Sequence, residues 1–309
     1  MRTARCPRTA RCLRTVSLRR RSLMIYKQIS KSGIDAGTMK RIAIIAMFID
    51  HMTLSFLEVA RDPQGHRIMN TFEAGRTLDS IGRGIGRLAF PIFCFLIVEG
   101  FLYTRNRWKY LIRLLVFAAV SQVPFCLLVF PNSQKRHADT IFTLAAGYIL
   151  IWIVETLAGY FKVNDFLPAR RSSYIEAEEG DRGEKKAVLT LPSRLDRKWI
   201  RVILFMIPSL AAGFGICWLA KWFGCDYSYG GVICILLLYL LYRYREYSIA
   251  AAWAWLTSYN QNELLAITGF WLIWCYNGKR GKQNKYFFYL FYPGHLIFLY
   301  LIRRAIFGA

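Results

Sequence analysis

The chain has 309 residues, of which 55% are apolar and 16% aromatic, and its formal net charge is +23. A soluble domain hides that much apolar surface only when its hydrophobic runs are short and amphipathic. Here several runs approach or exceed the roughly 20 residues that cross a bilayer, which excludes a soluble enzyme and predicts an all-α, polytopic transmembrane helical bundle.

Residues 1–38 are Arg-rich, contain the near-repeat RTARCPRTARCLRT, and lack the apolar core of a secretory signal between Met1 and Arg21. They read as a basic, disordered extension that holds to anionic headgroups on the cytoplasmic side. The alternative is a start placed too early, with Met24 or Met39 as the beginning. The membrane domain is expected over 39–306, interrupted by a polar cytoplasmic loop at 162–198 with EAEEGDRGEKK at its centre.

The first span, Lys40 to Ala60, reads KRIAIIAMFIDHMTLSFLEVA. At about 1.5 Å of rise per residue, Asp50 and His51 lie roughly 15 Å beyond Lys40, half the depth of a ~30 Å hydrocarbon core. Placing an ionisable side chain there costs roughly 2.5–3.5 kcal/mol, so such a residue faces the bundle interior and pairs or does chemistry. Further spans are predicted near 80–103, 109–130, 139–161, 199–223, 229–242, 247–257, 262–276 and 285–305, a total of eight or nine.

With the N-terminus inside, the loops place 31 Lys and Arg on the cytoplasmic side and eight on the other. This is the asymmetry of the positive-inside rule. The basicity is thereby explained by topology, with the N-terminus cytoplasmic, and nucleic-acid binding is not expected. The eight cysteines form no C-x-x-C pair and lie mostly in apolar runs, so neither a zinc site nor a disulfide framework is predicted.

The second span carries Gly82 and Gly86, a small-xxx-small face for close packing, with Arg83 placed to snorkel and Arg87 deeper, as the expected partner of Asp50. Glu99 and Arg113 flank a short basic loop at equal spacing and are expected to share a depth on adjacent helices, as a salt bridge or as an entrance for an anionic ligand. Asp139 and Asp226 read as solvated caps. In the last span His295 comes ten residues after Lys285, about 15 Å deep, and Pro293 should kink the helix and free a carbonyl beside it. His51 and His295 therefore reach one level, together with Asp50.

Six segments then carry a likeness: IAIIAMFIDH at 42–51, IGRLAFPIFCFLIVEGFLYTRNRWKYLIRLLVFAAVSQVPF at 85–125, FTL at 142–144, DYSYGGV at 226–232, YNGKRG at 276–281 and KYFFYLFYPGHL at 285–296. Together they resemble the TraX family of integral membrane proteins, related to the F-pilin acetylation protein of conjugation systems. The sequence differs from the family pattern at Gln122, where an acidic residue is common, at Cys126, where Asp is common, and at Ser228, where Gly is common.

The resemblance implies transfer of acetyl from acetyl-CoA to an amine or hydroxyl acceptor such as a pilin N-terminus. A histidine in a dry site stays neutral and able to accept a proton. His51 is thus the candidate base or acetyl carrier, Asp50 orients a histidine or the acceptor, and His295 supports the pair. Arg87 steadies Asp50 or the oxyanion, and Arg113, Lys279 and Arg280 receive CoA phosphates. The competing class is a proton-coupled transporter or a membrane assembly scaffold, since buried Asp and His also build proton relays.

Overall fold

The computed structural model describes residues 33–131, 137–163, 167–168 and 195–307. The predicted extension lies outside the described residues up to position 32, as does most of the 162–198 loop.

The protein is an all-α, multi-pass membrane bundle, and ten α-helices are described. They are α1 (Ala36–Thr53), α2 (Gly75–Gly86), α3 (Ala89–Tyr103), α4 (Arg107–Val129), α5 (Thr140–Tyr160), α6 (Leu195–Trp222), α7 (Ser228–Leu240), α8 (Arg245–Tyr259), α9 (Ile267–Trp274) and α10 (Lys285–Phe307). Among the described residues the only β-type pairings are isolated bridges. Two of them tie the ends of the bundle together. Ile34 pairs with Tyr276 at the end where α1 starts, and Ala138 pairs with Cys225 at the opposite end.

The folded part begins before Met39: Asp35 caps α1 by accepting from the Thr38 backbone N–H at 2.8 Å, and Ala36 and Met39 are buried.

Each predicted span has a helical counterpart, but among the described residues only six crossings are long and apolar: α1 with its extension, α2 with α3, α4, α5, α6 and α10. The predicted spans near 229–242, 247–257 and 262–276 become α7, α8 and α9, of 13, 15 and 8 residues. At about 1.5 Å per residue, α7 covers ~20 Å, short of the hydrocarbon thickness. It is tolerated because Val232, Cys234, Ile235, Leu238 and Tyr239 are sunk in protein, where helix length need not match lipid. α6 is the opposite case, peripheral, with Trp199, Ile203, Leu210, Phe214 and Trp218 exposed as a lipid-facing surface.

Two backbone irregularities shape the interior. α1 does not stop at Thr53 but widens into a π-helical turn, Leu54–Val59, and the Leu54 N–H is shared between the carbonyls of Asp50 and His51. Such π segments recur at functional sites. The second span breaks at Arg87–Leu88 into α2 and α3. Pro91 causes no further break, because it falls in the first turn of α3, where its missing N–H has no helical partner.

α2 lies against α1 with the predicted glycine face inward. A Cβ added at Gly82 would collide with the Thr53 side chain, and one added at Gly86 would fall on the Asp50 carboxyl group. At Gly84 it would meet only the tip of the Leu265 side chain, at 2.8 Å. Gly82→Ala should therefore lower stability by about 1–3 kcal/mol through overpacking, whereas Gly84→Ala should be neutral or stabilising, since alanine is the better helix former by about 1 kcal/mol. Thermal unfolding of both variants in detergent checks the contrast.

Candidate functional site

His51 on α1 and His295 on α10 meet. Their ring nitrogens, Nδ1 of His51 and Nε2 of His295, stand 2.8 Å apart, and the rings are nearly parallel, with centroids 5.1 Å apart. Both residues are buried. The partner of the remaining nitrogen of His295 fixes the direction of this bond. His295 Nδ1 lies 2.9 Å from the carbonyl oxygen of Phe291. A carbonyl only accepts, so Nδ1 carries the proton. With both rings neutral, His295 Nε2 is left as an acceptor and takes the Nδ1–H of His51. His51 Nε2 then holds an available lone pair.

That nitrogen belongs to the ring that faces open space. His51 lines a cavity of about 920 Å³, whereas His295 stands behind it and is not part of the lining. On α1 the lining runs from Ala36 through Lys40, Ile44 and Met47 to His51, a stripe about 22 Å long at helical rise. The cavity reaches Arg280 and Gln283 at the end where α1 starts, and Asp226, Tyr259 and Asn260 at the other.

Asp50 also lines the cavity, but on another wall. Adjacent residues on a helix point about 100° apart, so while His51 faces α10, Asp50 faces α2. The expected meeting of three groups is reduced to two, and the predicted pairing is corrected as well. Asp50 is bound by Arg83 at 2.7 Å, which also holds Glu58 at 3.0 Å. Arg83 lies across from Asp50 because the close approach at Gly82 and Gly86 brings that turn of α2 against α1.

Arg87, beyond the last turn of α2, reaches the other way, to Glu263 at 2.5 Å and to the Tyr227 hydroxyl at 3.4 Å. Glu263 is almost wholly buried. It was missed in the sequence because it lies at the edge of an apolar run beside an expected turn, where a carboxylate reads as solvated.

Of the residues expected to receive an anion, Arg113 and Arg280 line the cavity together with Lys40 and Arg105. Lys279 does not. Its backbone N–H donates to the Asn277 side chain, and its carbonyl accepts from Ala36 N–H, so it serves the start of α1. Glu99 accepts from the hydroxyls of Tyr242 and Tyr276, while the Arg113 guanidinium lies 6.0 Å from the Tyr110 ring centroid. These contacts replace the expected Glu99–Arg113 bridge. The carbonyl beside His295 also differs from expectation. Pro293 removes the donor that would serve Tyr289, but the histidine bonds to the Phe291 carbonyl.

Asp139 is not the solvated cap its position suggests. It is fully buried and accepts from the Tyr292 hydroxyl at 2.5 Å. The Tyr292 ring stands edge-on to both imidazoles, with centroids 6.3 Å from His51 and 5.5 Å from His295.

The sequence matches the family described as TraX protein over residues 35–167 and 187–303. It is 29% identical over 285 residues to the probable fimbrial assembly protein FimC, serogroup H1, of Dichelobacter nodosus, an alignment covering 85% of this chain and 93% of that protein. No solved structure matches. With most of its length accounted for by one family pattern, including both histidine-bearing helices, the chain belongs to the TraX family.

Proposed function

We propose that the protein is an integral membrane acyltransferase that passes acetyl from acetyl-CoA to an amine or hydroxyl acceptor, with His51 at the reacting centre. The observation that carries this reading is the directed histidine pair, which leaves an available Nε2 lone pair on the ring of His51, a residue that lines the cavity. A base so held takes the proton of the attacking amine or hydroxyl as it adds to the thioester carbonyl. It then returns that proton to the departing thiolate, so that acetylated acceptor and free CoA thiol are the products. The same lone pair alternatively attacks the thioester itself and carries the acetyl to the acceptor. His295 holds the tautomer that both routes require.

The two ends of the cavity differ in the way the reading needs. Lys40, Arg105, Arg113 and Arg280 collect at the end where α1 starts and suit the phosphates of CoA. Asp50, Asp226 and Glu263 lie toward the other end, with Arg83 and Arg87 pairing Asp50 and Glu263. The charge asymmetry of the loops supports a cytoplasmic N-terminus in the inner membrane, which turns the basic end toward the pool of acetyl-CoA. The relative named as a fimbrial assembly protein supports a pilin or other cell-envelope acceptor.

Purified protein in proteoliposomes, supplied with acetyl-CoA and a pilin-derived amine, should release CoA thiol in step with acetylated acceptor. His51→Gln should reduce that rate by about 10²–10⁴-fold, the range of a lost general base. Transport of a solute with the thioester left intact would assign the protein to the transporter class instead. Arg113→Glu and Arg280→Glu should each raise KM for acetyl-CoA at least tenfold with little change in kcat, while Lys279→Ala should leave both constants unchanged. Steady-state kinetics on the three variants separates the cavity cations from the structural lysine.

A further inference from the structure

A tyrosine hydroxyl and a carboxyl group buried beside the histidine pair have no part in the transfer just described, yet they are held from three elements at once. Asp139 immediately precedes α5 and is 0% exposed. Its side chain accepts from Tyr292 of α10, and its backbone N–H donates to Gln122 Oε1 of α4 at 3.0 Å. Gln122 is fixed in turn, because its Nε2 donates to the His137 carbonyl at 2.5 Å. At the far end of this arm the Tyr292 ring touches both imidazoles edge-on and is backed by Phe117, 5.7 Å away between centroids.

We propose, resting on the reading of His51 as base or carrier, that Gln122, Asp139 and Tyr292 form a positioning arm that sets the angle of the His51 and His295 rings. A ring pair joined by one hydrogen bond can rotate about that bond. The Phe291 carbonyl fixes His295, but turning of His51 about its Cβ–Cγ bond is opposed only by the single hydrogen bond to His295. The edge of Tyr292 closes that freedom only while its own hydroxyl is tethered, and the tether is Asp139. The arm needs an acceptor at Asp139, not its charge. It also needs an amide at Gln122, since one side chain must donate to a carbonyl and accept from an N–H.

The test uses the full-length chain in proteoliposomes with ¹⁵N-labelled histidine, reading the imidazole tautomers by solid-state NMR alongside acetyl transfer. The unaltered protein should show one tautomer at each ring. Tyr292→Phe and Asp139→Leu should each give mixed tautomers at His51 and lower kcat at least tenfold, with KM for acetyl-CoA unchanged. Asp139→Asn, which keeps the acceptor, should hold single tautomers and stay within threefold of the full rate. Unchanged tautomers and rate in Tyr292→Phe, a substitution that removes one oxygen atom and leaves the packing, would overturn the arm even if Asp139→Leu failed to fold. An Asp139→Asn protein as slow as Asp139→Leu would overturn it too, by assigning the effect to the carboxylate charge. If the unaltered protein transferred no acetyl while the tautomers still responded to Tyr292→Phe, the arm would stand and the acyltransfer reading would fall.

Discussion

An ionised side chain in the hydrocarbon layer must find a partner inside the protein, because neither lipid nor water can serve it there, and this requirement organises the bundle. Asp50 and Glu58 share Arg83, and Glu263 takes Arg87. Arg107 pairs with Glu155 across α4 and α5. Arg303, almost completely buried near the end of α10, donates to the carbonyls of Leu127 and Leu128 at 2.9 and 2.6 Å. It thus serves the last turn of α4, whose carbonyls have no helical donors. Removing one member of such a pair leaves the other uncompensated, at a cost of about 3–5 kcal/mol. The pairs therefore fix helix register as well as satisfying charge. Among these contacts the histidine pair is set apart, since it is satisfied without charge and leaves one ring nitrogen unprotonated on His51, a residue that lines the cavity.

The backbone irregularities follow from the same requirement. Arg83 can reach Asp50 only if α2 approaches α1 more closely than side chains normally allow, which Gly82 and Gly86 permit. Arg87 can serve Glu263 from the opposite side only because the span breaks there, ending α2 at Gly86 and restarting as α3 at Ala89. The π turn after Thr53 shifts the following residues around the helix axis, and Glu58 falls within reach of the Arg83 that already holds Asp50. One cation thereby neutralises two carboxylates on one helix, and His51, between them in sequence, is left facing α10.

The bundle was legible in the sequence because bilayer thickness is a length requirement, and apolar runs report length directly. The depth of His51 and His295 was legible for the same reason, since counting residues along a helix measures distance. What counting does not give is azimuth. Asp50 and His51 share a depth but face different walls, and depth alone joined Asp50 to Arg87 when rotation joins it to Arg83. Asp139 and Glu263 were hidden because each borders a turn, where a carboxylate normally meets water. Only the tertiary packing of α10 over Asp139, and of Arg87 against Glu263, shows that these ends are sealed. The apolar runs over 228–274 were short in the sequence too, but a rule based on lipid thickness could not say that α7 is sunk in protein while α8 and α9 leave Tyr247, Trp271 and Trp274 exposed.

Gln122 shows why an amide, and not a carboxylate, suits the junction between α4 and α5. An ionised carboxylate at this position could accept the Asp139 N–H but could not donate to the His137 carbonyl. The amide does both, with its two ends aimed at two successive points of the chain that leads into α5. The amide therefore places no second negative charge near Asp139 and supplies a donor as well. Two carboxylates so close in a dry site would share a proton. With an amide, Asp139 meets the Tyr292 hydroxyl without that competition, and the ring that closes over the histidines is oriented by a neutral contact on one side and a single acceptor on the other.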